Sequence, residues 1–356
     1  MKRALTTALL VCIAAIAVFA YLHHRKLVRQ REAFDAPSPA PTPASTASAL
    51  QGSPTEASAP DLIHQLPAGA SAVVFVDVAA LRASSFANEL ANLAPTSAQD
   101  PAYTEFVHDT GFDYSRDLDR TAVDLWPQDS STSVLALAQG RFDEAKIERY
   151  ALRYGRLVKS HNQKVYEVRE QNSTRLIRFS FLSPVEIALA DGPALSQVLG
   201  AVNPQRLDSQ MSERVALVSG TPIYAVARTQ DLPKDLGIDV SHSAQLAGLL
   251  RGVHLISASG RPAEDNLKVF ASAECDSTLD ALKLSTALQG LLWIGRAALA
   301  DPKTRQQIGP QWPALDALLR AADISHNRRR VELRVEVTPQ MLQATLAVPA
   351  DGAPKK

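Results

Sequence analysis

The sequence predicts an α+β body carried behind one apolar N-terminal helix and an extended linker, and three observations predict it. Residues 4–22 contain no charged side chain. Residues 32–61 consist largely of Pro, Ala, Ser and Thr. From Leu62 onward, short β-branched runs alternate with stretches whose apolar residues recur every three or four positions, the mixed signature of strands and amphipathic helices.

The run ALTTALLVCIAAIAVFAYL, residues 4–22, is nineteen residues long. At ~1.5 Å per residue it matches the ~30 Å hydrocarbon thickness of a bilayer. Lys2 and Arg3 precede it, and Arg25, Lys26, Arg29 and Arg31 follow it. Residues 1–31 therefore read as a transmembrane anchor with basic flanks. A cleaved signal peptide, with Val18 and Ala20 before Tyr21, is the alternative. The expected partner of this segment is the lipid bilayer, and the expected location is the cell membrane, spanned once. Counting Lys and Arg alone favours a cytoplasmic body, but long domains translocate largely regardless of such counts. With a Pro-rich stalk behind the helix, the preferred orientation is extracytoplasmic (periplasmic), with a cytoplasmic membrane-tethered adaptor as the other reading.

Residues 32–61 offer no core, and their prolines block helix and sheet, so they read as a disordered spacer. Ala72–Val78 (AVVFVDV) suits a buried strand, and residues 79–93 a helix. Residues 133–138 read as a strand and Phe142–Tyr154 as a helix, with Gly155 at its C-terminal cap in the positive-φ region. Residues 165–168, 175–181 and 185–190 read as three consecutive strands. Asp191 and Pro193 then open a helix running to about Val202.

A polar, mobile stretch is expected at residues 203–213. Beyond it come a strand at 222–227 and a strand pair at 253–259 and 267–274. Ser277 and Asp280 begin a long helix as a capping box, and Ala281, Leu284, Leu288, Leu291, Gly295 and Ala298 form its apolar stripe. Residues 331–337 (VELRVEV) alternate as a strand with one solvated face, and Thr338 and Pro339 start a last helix. The body thus divides into a first α+β lobe at 62–203 and a second at 204–349, both with largely antiparallel sheets, and a disordered tail at 350–356. The lobes share a loose plan that reads as a pseudo-repeat.

Six basic residues and no acid lie in the first 31 positions. The remainder holds 31 basic against 37 acidic residues, a formal charge of −6. Such a body is a poor match for a phosphate backbone, so no nucleic-acid partner is expected. Of the two cysteines, Cys12 lies in the apolar run, which leaves Cys275 without a disulfide partner in the body and reads as a buried thiol.

Motifs for chemistry are sparse. Asp109-Thr110-Gly111 matches an aspartic-protease tripeptide, but that chemistry needs a second such carboxylate, and Asp276-Ser277-Thr278 lacks the glycine. Asp113, Ser115, Asp117, Asp119 and Asp124 fall near calcium-loop positions. Leu118 stands where the loop needs glycine, and Arg116 and Arg120 add positive charge, so a salt-bridged turn between a helix and the next strand is preferred. His64, His108, His161, His242, His254 and His326 show no zinc spacing. Arg328-Arg329-Arg330 reads as a solvated strand edge, and Trp293 and Trp312 as packing residues. No catalytic, cofactor-binding or metal residue is assigned and no cofactor is implied.

The segments LPAGASAVVFVDVAALRAS, TGFDYSRDLDR and GRFDEAKIERYALRYG resemble those of uncharacterised bacterial membrane-anchored proteins with a repeated α/β body, over Leu66–Val202 above all. The resemblance implies a tethered bacterial protein and attaches no activity to any residue. The sequence expectation is a non-enzymatic binding or envelope-associated module with a protein or cell-wall partner. The alternative is an extracytoplasmic hydrolase with residues 109–124 near its site.

Overall fold

The structure, a computed structural model, describes residues 62–67, 69–93, 101–128, 131–169, 176–191, 194–199, 207–231, 248, 250–309 and 312–346. The expected anchor, linker and tail lie outside the described residues. Among the described residues, no helix is long and apolar enough to cross a membrane.

Twelve strands form one antiparallel sheet: β1 (Ala72–Asp77), β2 (Leu118–Gln128), β3 (Ser131–Gly140), β4 (Gly155–Ser160), β5 (Gln163–Arg169), β6 (Leu176–Ser183), β7 (Glu186–Asp191), β8 (Ile223–Arg228), β9 (Val253–Ala263), β10 (Asn266–Cys275), β11 (Asp323–Asn327) and β12 (Arg330–Val337). Their order across the sheet is β11-β12-β10-β9-β8-β1-β2-β3-β7-β6-β5-β4. The α+β class and antiparallel pairing of the sequence reading are thus observed. The two sequence blocks occupy the two halves of a continuous sheet and meet where β1 pairs with β8, Val73 opposite Val226 and Phe75 opposite Tyr224. Phe75 and Tyr224 stack across that seam with ring centroids 5.0 Å apart.

Each half runs outward from the seam by the same rule. A seam strand (β1 or β8) is followed by a hairpin (β2–β3 or β9–β10), then by helix, and the chain returns so that its last strand (β7 or β12) pairs with the hairpin's outer strand. The halves differ in length: the first returns through four strands and the second through two.

The helices are α1 (Val78–Arg82), α2 (Ser85–Leu93), α3 (Pro101–Thr110), α4 (Tyr114–Asp117), α5 (Glu144–Tyr154), α6 (Ala194–Leu199), α7 (Ser209–Val218), α8 (Thr278–Ala300), α9 (Pro302–Ile308), α10 (Trp312–Ala321) and α11 (Pro339–Leu346). Residues directly opposite in an antiparallel ladder share a face, so the register sorts the core into layers. On one face, Val73, Ala122, Leu135, Leu137, Ala188 and Val226 pack beneath the 3-10 turn Leu62–Gln65, α6 and α7. On the other face lie separate clusters. Ile147 and Ala151 of α5 cover Tyr166, Phe179 and Ile187. Phe86 of α2, Leu318 of α10 and Leu342 of α11 cover Leu267, Val335 and Val337. Ala281 and Leu284 of α8 cover Val253, Cys275 and Val331.

Several expectations are corrected. Residues 79–93 form two helices, because Ser84 turns its hydroxyl to accept from Ala87 N at 3.2 Å and so starts α2 afresh. Gly155 is extended, with φ −157, and is needed because a Cβ there would lie 2.0 Å from the Glu167 carbonyl oxygen. Asp191 ends β7 rather than capping a helix, and its Oδ1 accepts from Val134 N at 2.6 Å. Within the stretch read as mobile, residues 209–213 are helical, capped by Asp208, which accepts from Gln210 N and Met211 N. Leu291, assigned to the buried stripe of α8, is 41% exposed. Arg328 adopts φ 52 in the tight turn between β11 and β12, and Arg330 Nε is buried rather than solvated.

Candidate functional site

The acidic segment 109–124 was the strongest chemical signal in the sequence, and each of its carboxylates has a different role in the fold. Asp109 sits near the end of α3 beside His108 and Arg153, whose hydrogen bonds hold its carboxyl below the usual range. The tripeptide Asp109-Thr110-Gly111 is a helix terminus. Gly111 takes φ +73 and its N–H returns to the Val107 carbonyl at 2.8 Å, while Thr110 Oγ1 donates to the Phe106 carbonyl at 2.6 Å. Asp113 caps α4 by accepting from Ser115 N at 2.9 Å.

Asp117 is buried and accepts from Arg116 and from Asp113 N. The Arg116 hydrogen bonds outweigh burial and lower its pKa to about 2, helped by the Asp113 N–H and by Arg141. Asp119 pairs with Arg82, which also donates to the Ser115 and Leu118 carbonyls and so ties α1 to this turn. Residues 111–117 therefore form a salt-bridged helical turn between α3 and β2, as the sequence favoured, whereas Asp119 and Asp124 lie in β2 itself.

Asp124 lies in the middle of β2, opposite Val73 on one side and Leu135 on the other, on the face covered by α7. It is 0% exposed, and neither carboxylate oxygen has a hydrogen-bond partner. Burial pushes its pKa up to about 8. The Leu125 N–H, which lies outside hydrogen-bonding geometry, offsets only part of this. Asp124 is thus a neutral acid at pH 7, held in an apolar layer away from Asp109, Asp113, Asp117 and Asp119.

Other polar groups are paired in the same structural manner. Glu167 lies between Arg156 and Arg178 across three strands, and both arginines lower its pKa. His254 Nδ1 stands 3.3 Å from Asp276 Oδ1 without hydrogen-bond geometry. Ser285 Oγ meets His326 Nδ1 at 3.2 Å, but Ser285 is buried and also donates to the Leu282 carbonyl. Cys275 is buried, as expected, and burial raises its thiol pKa. Among the described residues, no group of three or more His, Cys, Asp or Glu could hold a metal ion.

The feature that sequence reading missed is the outer face of α8. Ser277 caps the helix as predicted, its Oγ accepting from Asp280 N at 3.1 Å, while the reciprocal contact of the box runs from the Ser277 hydroxyl to Asp280 Oδ2 at 2.6 Å. Its inner stripe, with Ala281, Leu284, Ser285, Gly295 and Leu299, is buried. Its outer side is apolar too: Leu279 is 57%, Leu282 45%, Ile294 42% and Trp293 71% exposed. The residues read as packing positions therefore include a tryptophan that touches solvent over most of its surface. A run apolar on both sides gives a weak helical asymmetry, so the sequence could assign only one buried stripe. In 23 residues α8 carries only Asp280, Lys283 and Arg296 as charges. Arg296 is engaged inward, donating to the Leu319 and Ala322 carbonyls and capping α10. Exposed aromatic and aliphatic groups gathered on one surface mark interaction sites more often than catalysis. The fold is that of an α+β sheet protein in which α8 shows an apolar side to solvent.

No protein-family model matches the chain, and no curated protein matches it. Among solved structures, crystal form III of TP0453 is similar at 11% identity and a TM-score of 0.45, covering 80% of this chain and 98% of that one. Crystal form I of the same protein gives 11% and 0.43, covering 81% and 96%.

Proposed function

We propose that the chain is a single-pass membrane-anchored protein of the bacterial envelope whose body, a tandem of two related α+β lobes, acts as a non-enzymatic binding module. The observation that carries this reading is the uncharged run 4–22 between basic flanks, long enough to span a bilayer. The spacer 32–61 then holds the body away from the lipid, on the extracytoplasmic side. The apolar outer face of α8 supports the binding part, since it offers contact area in place of a reactive constellation.

The test is alkaline extraction of membranes from cells making the full chain, combined with reporters active on only one side of the membrane fused at the C-terminus. Retention in the extracted membrane with an extracytoplasmic reporter signal is expected. A mature protein beginning at Tyr21 and released without detergent would overturn the tether.

A further inference from the structure

We propose that the outer face of α8 pairs with the same face of a second copy of this chain, the two helices running antiparallel about Gly290. This rests on reading that face as a binding surface and names its partner. At ~100° per residue, Leu279, Leu282, Thr286, Gly290, Trp293 and Ala297 fall opposite the buried stripe, and all but the partly covered Gly290 are exposed. Gly290 is a notch: a Cβ built there meets no atom within 4 Å, so no described residue fills it.

The size pattern is self-complementary about that notch. In an antiparallel pair centred on Gly290, a residue some number of positions after it faces the residue the same number before it. Trp293, three after, falls beside Thr286 and Ala287 of the other copy, where the side chains are small. Leu282, eight before, falls beside Ala297 and Ala298. At both of these steps a large group meets small ones, so the patch is self-complementary, as an isologous two-fold interface requires.

Charge agrees. Lys283, whose contact with Asp280 in its own chain is a loose 4.0 Å, lies seven residues before Gly290, and the exposed Asp301, which also caps α9, lies eleven after. Each lysine therefore comes within about 6 Å along the axis of the other copy's aspartate, a span its stem covers. A lipid surface is the poorer occupant, because helices that lie on anionic lipid carry several Lys and Arg along their polar side. This face has Lys283 alone.

The helix is roughly 35 Å long, and a strip about 12 Å wide along it gives on the order of 400 Å² per copy, about half of a standard interface. Association in dilute solution is therefore weak. Tethering both copies to one membrane raises their effective concentration, and a two-fold axis along the membrane normal leaves both stalks on the same side.

The test uses the full chain in native membranes, with Cys12→Ala to remove the other thiol that oxidant could reach, Cys275 being buried. Under mild oxidant, Gly290→Cys should give a disulfide-linked dimer. Leu279→Cys and Asp301→Cys should each crosslink poorly alone, yet join in a mixed dimer when made together. Adding Trp293→Glu to Gly290→Cys should lower the crosslinked yield at least about fivefold while leaving the circular dichroism melt unchanged. No crosslink at Gly290→Cys, equal yields at all three single positions, or indifference to Trp293→Glu would each overturn the pairing. Sedimentation of the same preparations without detergent reads the tether separately. A chain that stays in solution yet keeps the crosslinking pattern refutes the anchor and leaves the pairing standing.

Discussion

Asp124 shows how far one side chain departs from its sequence context. Its neighbours in the chain, Asp113 to Asp119, stabilise a surface turn and the start of β2 by capping and pairing, whereas Asp124 lies inside the sheet, between β1 and β3, with no hydrogen-bond partner. Its folded pKa of about 8 stands above the ~3.9 of an unfolded chain. Below pH ~4 both states hold the proton, and the full stability is present. Between about pH 4 and pH 8 the unfolded chain releases the proton and the folded chain keeps it, so stability falls by up to about 1.4 kcal/mol per pH unit. Above the folded pKa the slope ends. Asp124→Asn removes this contribution while keeping the shape. Urea unfolding at pH 5, 6.5 and 8 should show the variant gaining on the wild type as pH rises, by several kcal/mol in total. Equal pH slopes in the two proteins would mean that the carboxyl is solvated or paired after all.

At the scale of elements, tight approaches decide as much as hydrophobic pattern. Gly155 joins α5 directly to β4, where the backbone of β5 passes so close that any side chain would enter the Glu167 carbonyl. Gly155→Ala should therefore destabilise the protein by about 3 kcal/mol, near the top of the range for overpacking, and loosen the β4–β5 hairpin first. Denaturation midpoints and the amide exchange of residues 163–169 check this; a melt within a degree of wild type would refute it. β4 itself was not foreseen, since GRLVKS alternates weakly and the His161-Asn162 turn, with φ 49 and 64, lacks the glycine that usually marks such hairpins. β2 was hidden by Asp119, Arg120 and Asp124, which read as loop but occupy a strand. By contrast, the capping box at Ser277 and the alternation of residues 331–337 were legible, because both depend only on near neighbours in the chain.

Across the whole molecule, the β1–β8 ladder makes the two halves one sheet, and the layer beneath α7 draws Leu135 and Ala188 from the first half and Val226 and Leu255 from the second. Met211 of α7, 0% exposed, packs into this shared layer. Met211→Ala should cost about 2–5 kcal/mol. Because the layer is shared, hydrogen exchange should show protection falling by the same factor in β6 and in β10. Loss confined to β8–β12 would show that the halves unfold separately. The sequence by itself determined the mixed α+β class, the strands at β1, β3 and β12 and the start of α8, since each is written in residues a few positions apart. Only tertiary structure decided that two blocks share one sheet, that Asp124 is buried without a partner, and that α8 shows an apolar side to solvent. Those facts depend on which distant segment covers a given face, and the periodicity of a segment states that it has an apolar side without stating what lies against it.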